Sequence, residues 1–373
     1  MSNKPNNVFA ALLLSLCLGC TKEIEKVVVR VEERDKTYSW KPMPQFTRNY
    51  RILLGSSKGP NGLYFQQPSA FAALEQRGGQ LGLTQYWLSW NPTDIAIRNP
   101  MGPDFFVTYI DSLIFIIPNT APVASQAGGW IRLRKLDTQA LRVQKNQYPY
   151  AKSGAINRNN FLLMPYQRTG PHTDNCFVLS RIARDPWAIG DPVYRPQSRT
   201  VIIPVINFNY PYDVDLVVAI DDYFIVDCGR EGIYKIREDG SFRKLSLGVS
   251  EILTCYKWQG NVYAHAFNHG LAISSDDGET WRATFGTPDN FRWNTMHPIG
   301  DSLVGVFHGV PSFIFTLKYD LVNSSYHVRP LKDDGLNDNE INGLEVWRDT
   351  VYIATSGGLF RRPLAQFFES RQP

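Results

Sequence analysis

Long apolar runs are missing from almost all of the chain. Past the first 19 residues none approaches the roughly 20 that a bilayer-spanning helix needs, which excludes such a helix from the body. Cysteine is scarce, with five in 373 residues, and none forms a CxxC pair or stands beside a histidine at zinc spacing. No carboxylate cluster has the spacing of a calcium loop. The sequence therefore implies no metal and no cofactor. Helical periodicity is missing as well: from Asp213 to the end no amphipathic helix pattern occurs, which argues against helical and α/β folds. Charge is thin. The formal net charge of +4 falls by one without Lys4 and is scattered, which excludes the basic patch of a nucleic-acid binder.

What is present begins at the N-terminus. Met1 to Lys4 carries one positive charge, an apolar run follows from Val8 to Gly19, and then comes Cys20. A run of about a dozen apolar residues is a secretory signal rather than a membrane span. Gly19-Cys20 resembles the lipobox of bacterial lipoproteins, in which the peptidase cuts before a cysteine that is then acylated. The pattern departs at Cys17, where a lipobox carries leucine, although Leu16 and Leu18 flank it. The other reading is an ordinary secreted protein cleaved nearby. The resemblance implies a signal peptide over 1–19, lipid on Cys20, and a tether over 20–36 ahead of a folded body over 37–373. Two acyl signals give stable anchoring where one chain gives only marginal binding. Thr21-Lys22-Glu23-Ile24-Glu25 is similar to the surface-export signal of Bacteroidetes lipoproteins, and a solvated linker has the same composition. The expected location is the bacterial outer membrane, lipid-anchored and facing the cell surface.

The body reads as short strands split by tight turns. Asp215–Ile220, Tyr223–Asp227, Ile233–Arg237 and Ser241–Leu247 form one four-stranded meander, and the plan repeats over 250–287, 291–331 and 339–373. Gly232-Ile233-Tyr234-Lys235, Gly270-Leu271-Ala272-Ile273 and Gly358-Leu359-Phe360-Arg361 are one element recurring, and Gly62-Leu63-Tyr64-Phe65 is a fourth copy. Units of this size are propeller blades. Looser units near 46–95, 103–145 and 153–206, together with 213–248, bring the total to about seven. Six or eight also fit, because 80–103 and 186–212 do not parse cleanly. The expected fold is an all-β propeller of four-stranded blades, its ring closed by a terminal strand, with Lys36 to Pro42 completing the final blade. Of the body's cysteines, Cys228 and Cys255 fall in successive units. One bridge between them, or three buried thiols with Cys176, both fit.

Ser274-Ser275-Asp276-Asp277-Gly278-Glu279-Thr280-Trp281 fits S-x-D-x-G-x-T-W at every fixed position. This resembles the Asp box of the BNR repeat found in sialidases, sortilin-type receptors and photosystem II assembly-factor propellers. In that motif Ser274, Asp276, Gly278, Thr280 and Trp281 are structural: the carboxylate accepts backbone N–H groups, glycine permits positive φ and the indole packs between blades. Glu238-Asp239-Gly240 with Phe242 reads as a degenerate copy or a plain hairpin turn.

A sialidase needs an arginine triad, a tyrosine nucleophile with its glutamate, and an acid–base aspartate. The Arg-Ile-Pro segment of that family is missing, since Ile202-Ile203-Pro204 lacks the arginine and Arg51-Ile52-Leu53 lacks the proline. No catalytic residue is therefore assigned. A binding or assembly module is the better expectation, its partner an envelope protein or a glycan, with a sialidase-like hydrolase as the alternative. The binding face would be built by loops between second and third strands and between blades. Lys58, His172, Arg230, Glu231, Asn268, His269, Asn290, Trp293, His308 and Asn339 are placed there, with His269 and His308 as a pair on equivalent loops of adjacent blades.

Overall fold

The computed structural model describes residues 38–371 except 47–50, 69, 78–79, 88–97, 120–127, 147–151, 171–173, 188–192, 206–213, 250, 268–269, 286–293, 310 and 337–338. The strands form seven antiparallel sheets, each a meander in chain order except the last, which the first strand completes, and they make a seven-bladed propeller. Blade 1 comprises Gly55–Lys58, Gly62–Gln66, Ala70–Arg77 and Gln80–Trp87. Blade 2 has Phe105–Ile110, Leu113–Pro118 and Gly129–Arg132, and blade 3 has Ala155–Ile156, Phe161–Arg168, Asp174–Arg184 and Tyr194–Pro204. Blade 4 is Leu216–Ile220, Tyr223–Asp227, Ile233–Arg237 and Phe242–Lys244. Blade 5 is Ile252–Trp258, Asn261–Ala266, Gly270–Ser274 and Arg282–Phe285. Blade 6 is Asn294–Ile299, Ser302–Phe307, Phe313–Asp320 and Ser325–Pro330. Blade 7 is Ile341–Trp347, Thr350–Thr355 and Gly358–Pro363, completed by Lys41–Pro42 from the other end of the chain.

The middle strands are apolar on both faces because each is sandwiched between two neighbouring blades. Tyr223–Asp227 and Gly270–Ser274 are buried at every position, whereas the outer strand Phe242–Lys244 is exposed at every position. Continuous apolar runs replace the in–out alternation of a one-sided sheet. Seven apolar clusters fill the seven interfaces in turn, from Tyr64, Phe71 and Phe106 between blades 1 and 2 to Leu63, Tyr352 and Leu359 between blades 7 and 1. A cluster at the last interface means that the ring is closed.

Closure is by the expected route. Lys41 pairs with Arg361 and Pro42 with Phe360, and the Met43 amide donates to the Leu359 carbonyl at 2.8 Å. Trp40 locks this strand: it is fully buried, meets Phe367 edge-on, and its indole N–H donates to the Lys332 carbonyl at 2.9 Å.

The stretches 80–103 and 186–212, which do not parse cleanly from the sequence, hold the outer strands Gln80–Trp87 of blade 1 and Tyr194–Pro204 of blade 3, and the irregular segments lie at inner edges. Blade 2 takes its innermost edge from a short segment in which Met101 pairs with Phe106 and Arg98 bridges Lys152 of blade 3. The inner edge of blade 3 is split, with Ala140–Val143 pairing the far end of Phe161–Arg168 and Ala155–Ile156 the near end. Cys176, Cys228 and Cys255 are buried free thiols, so no Cys228–Cys255 bridge forms. Burial pushes the Cys176 thiol up to about 11, so it stays protonated and unreactive.

Candidate functional site: the axial channel

The innermost segments of all seven blades surround a cavity of about 370 Å³ on the propeller axis. Its wall has two halves. Blades 3 to 5 contribute Ile156, Leu216, Val218 and Leu253, while blades 6, 7, 1, 2 and 3 contribute Thr295, His297, His308, Asn342, Glu345, Ser56, Arg98 and Lys152. Period-2 alternation puts Thr295 and His297 on one face of their strand. At the blade 7 to blade 1 seam the strands approach so closely that a Cβ on Gly343 would lie 2.2 Å from Ser56 Oγ.

Two histidines share one hydroxyl. His308 Nδ1 lies 2.7 Å from the Ile341 carbonyl, which can only accept, so the proton sits on Nδ1 and Nε2 is an acceptor. The Thr295 hydroxyl then donates to His308 Nε2 at 2.9 Å and accepts from His297 Nε2 at 3.0 Å. Burial, with the positive charge of Lys152, lowers His297 to about 4. Burial, with Arg98, lowers His308 to about 3. Both rings are neutral near pH 7, and the chain of hydrogen bonds ties blade 6 to blade 7.

Arg98 is buried, and its guanidinium donates to Glu340 at 3.0 Å and to the Asn342 side-chain oxygen, while Asn342 Nδ2 donates to the Leu53 carbonyl at 2.7 Å. This chain joins blades 2, 7 and 1. Burial lowers the Arg98 pKa and Glu340 opposes the shift. Glu345 accepts from Ser56 Oγ at 3.1 Å. Burial raises its carboxyl pKa, and Lys152 acts against that. Lys152 is lowered by burial, with Glu345 opposing and Arg98 adding to it. Its side chain is open to the channel and yet ringed by protein, so water reaches it without the full solvation of a surface lysine.

The expected binding-face residues scatter. Arg230 is exposed on the short turn Gly229–Glu231 between the second and third strands of blade 4, while Glu231 beside it is buried rather than presented. That turn is pinned: the Gly229 amide donates to Asp227 Oδ1 at 2.9 Å, and Gly229 and Gly232 take φ of 56° and 99°. His308 follows a second strand as expected but turns inward, because its ring satisfies the Ile341 carbonyl, and it lines the channel. Lys58 closes the first strand of blade 1 and so lies at the opposite end of the meander from Arg230. Asn339 is half-buried and caps the Leu336 carbonyl at 2.7 Å. His172, Asn268, His269, Asn290 and Trp293 lie outside the described residues, as do Cys20 and the tether. Arg98, Lys152, Thr295, His297 and Glu345 were not anticipated. The signal for Thr295, His297 and Glu345 is polar residues interrupting strands, as in Asn294-Thr295-Met296-His297, and Arg98 and Lys152 carry none.

The Ser274–Trp281 turn joins the third and fourth strands of blade 5, on the rim opposite Arg230. Asp276 accepts from the amides of Glu279 and Thr280 at 3.1 and 2.8 Å and from the Thr280 hydroxyl at 2.6 Å, and Ser274 Oγ accepts from the Gly278 amide at 2.7 Å. The hydroxyl and amide of Thr280 hold the Asp276 carboxyl well below the usual carboxylate range. Trp281 is half-buried against the cluster between blades 4 and 5. From blade 4, Lys235 Nζ reaches over to the Asp277 carbonyl and Glu279 Oε1, both at 2.6 Å, passing 3.9 Å from the Tyr223 ring centre. The matching turn of blade 4 lacks the packed indole, since Phe242 is exposed. It docks backward instead through Asn157, which donates to Glu238 at 2.7 Å. These turns fasten blades together.

No protein-family model and no curated protein matches the chain. Among solved structures, the WD40 β-propeller domain of Doa1 is similar at 8% identity over 84% of this chain and 94% of that one, with a TM-score of 0.47. BamB from Moraxella catarrhalis is similar at 10% identity, covering 87% and 96%, with a TM-score of 0.47. PorZ, a surface component of the type-IX secretion system of Porphyromonas gingivalis, is similar at 11% identity over 90% of this chain but 39% of its own, with a TM-score of 0.45. Likeness at this level carries no argument about activity. The sheets and the closed ring themselves define the class: a seven-bladed β-propeller with an amphipathic axial channel.

Proposed function

We propose that the chain is a lipid-anchored envelope lipoprotein of the outer membrane, exposed at the cell surface, whose propeller is a binding and assembly module for another envelope protein. The anchor reading rests on the signal and Cys20, and the BNR kinship on the Ser274–Trp281 motif, whose hydrogen bonds have the form that the Asp box requires. The observation that carries the binding reading is the pinned turn of blade 4. It holds the exposed Arg230 on a backbone fixed by Asp227 on a closed ring, so little backbone ordering entropy remains to be lost when a partner docks. The channel histidines suit the same reading, because their neutral, mutually satisfied hydrogen bonds hold strands together.

The test is recovery of partners from detergent-solubilised envelopes with the lipidated protein as bait, beside a fluorogenic sialoside assay. A stoichiometric envelope protein lost on Arg230→Glu supports the reading. Turnover of the sialoside with no partner recovered overturns it in favour of a hydrolase.

A further inference from the structure

The axial channel combines three features that a structural seam does not need. The Lys152 ammonium makes no hydrogen bond or ion pair with any described residue, although it opens into the cavity. Glu345 faces the same cavity from blade 7, near enough for the two charges to influence each other, yet no salt bridge joins them. Next to Lys152, on blades 4 and 5, stands the apolar wall of Leu216, Val218 and Leu253, each of which keeps part of its side chain uncovered.

We infer that the channel is a binding site for a small zwitterion with an apolar arm, of the class of an aliphatic α-amino acid. The ligand carboxylate sits on Lys152, its ammonium on Glu345, and its side chain against Leu216, Val218 and Leu253. A single negative charge would satisfy Lys152 and leave Glu345 opposed by a like charge. A single positive charge would do the reverse. Only a molecule carrying both charges meets both walls, and its short charge separation suits two groups that face one cavity without touching. Burial disfavours the charged forms of Lys152 and of Glu345 alike, and a zwitterion offsets both costs at once. A cavity of about 370 Å³ is near the lower end of ligand pockets, roughly 300 to 1,000 Å³, which suits a small molecule. The site is independent of docking on the outer rim.

The experiment is calorimetric titration of the full-length protein in detergent with three probes of matched shape: L-leucine, 4-methylpentanoate and 3-methylbutylamine. The expected result is saturable binding of L-leucine, with each singly charged analogue weaker by about tenfold or more. Lys152→Met and Glu345→Gln each weaken L-leucine by a similar factor. Lys152→Met leaves the amine unaffected, and Glu345→Gln leaves the carboxylate no weaker. Absence of L-leucine binding to the unaltered protein overturns the proposal. So does a carboxylate or amine that binds as tightly as L-leucine, a comparison that needs no variant to fold.

Discussion

His265 gives the fold a calculable sensitivity to acid. Its ring is fully buried between blades 5 and 6, with Nε2 2.9 Å from the Tyr256 hydroxyl and 2.7 Å from that of Tyr319. Burial pushes the imidazole down to about 3. In the unfolded chain it titrates near 6.5, so between these values only the unfolded state takes up the proton. The contribution of the neutral ring is complete above about pH 6.5 and is lost as pH falls toward 3. One unit below the unfolded pKa, at pH 5.5, the loss is about 1.4 kcal/mol. His265→Gln keeps a polar group toward the tyrosines and removes the titration. Urea unfolding of both proteins at pH 7.5 and 5.5 isolates the effect, because the baseline cost of the substitution is common to both pH values and the titration of His297 and His308 is common to both proteins. The unaltered protein should lose about 1.4 kcal/mol more between the two pH values than the variant does. An equal loss in both would refute the reasoning.

Trp40→Ala should cost about 3 to 5 kcal/mol in urea unfolding, because the fully buried indole holds the strand that closes the ring. Trp281→Ala should cost about 2 kcal/mol, below the range for a buried indole because its ring is half-exposed, and Asp276→Ala should lower the melting temperature by less. An unchanged melting temperature for Trp281→Ala would contradict its role between blades. Palmitate-analogue labelling in cells should mark the unaltered chain and spare Cys20→Ser, and equal labelling of both would remove the anchor.

The ring was readable from its repeat. The recurring Gly-Leu/Ile element opens the third strand at Gly232, Gly270 and Gly358, whereas the copy at Gly62 opens the second strand of blade 1, because a glycine turn serves either hairpin. The unit limits follow the seven sheets except that Ala140–Val143, inside 103–145, pairs in blade 3. The closing strand was legible because a propeller with an open edge would expose unpaired backbone. The channel was not. Its lining comes from the innermost strands, whose inward face carries polar residues against a water-accessible axis, a pattern that an outward face shows equally. Arg98 and Lys152 also sit in short, irregular segments with no strand pattern to place them. His308 was misplaced for a related reason: the sequence locates a loop on a rim and is silent on whether its side chain turns out or in. Trp281 fits the motif, but its depth depends on the cluster it packs against, which includes Tyr223 of the neighbouring blade.

The central claim, that the rim bearing Arg230 is a docking surface, is tested most directly by photo-crosslinking in intact envelopes. A photoreactive residue is placed at position 230 in one protein and at 187 in another. Trp187 is 85% exposed on the turn after the third strand of blade 3, at the opposite rim. The account predicts one discrete adduct with an envelope protein from position 230 and none from position 187. Adducts of equal yield from both positions, or from position 187 alone, would contradict it.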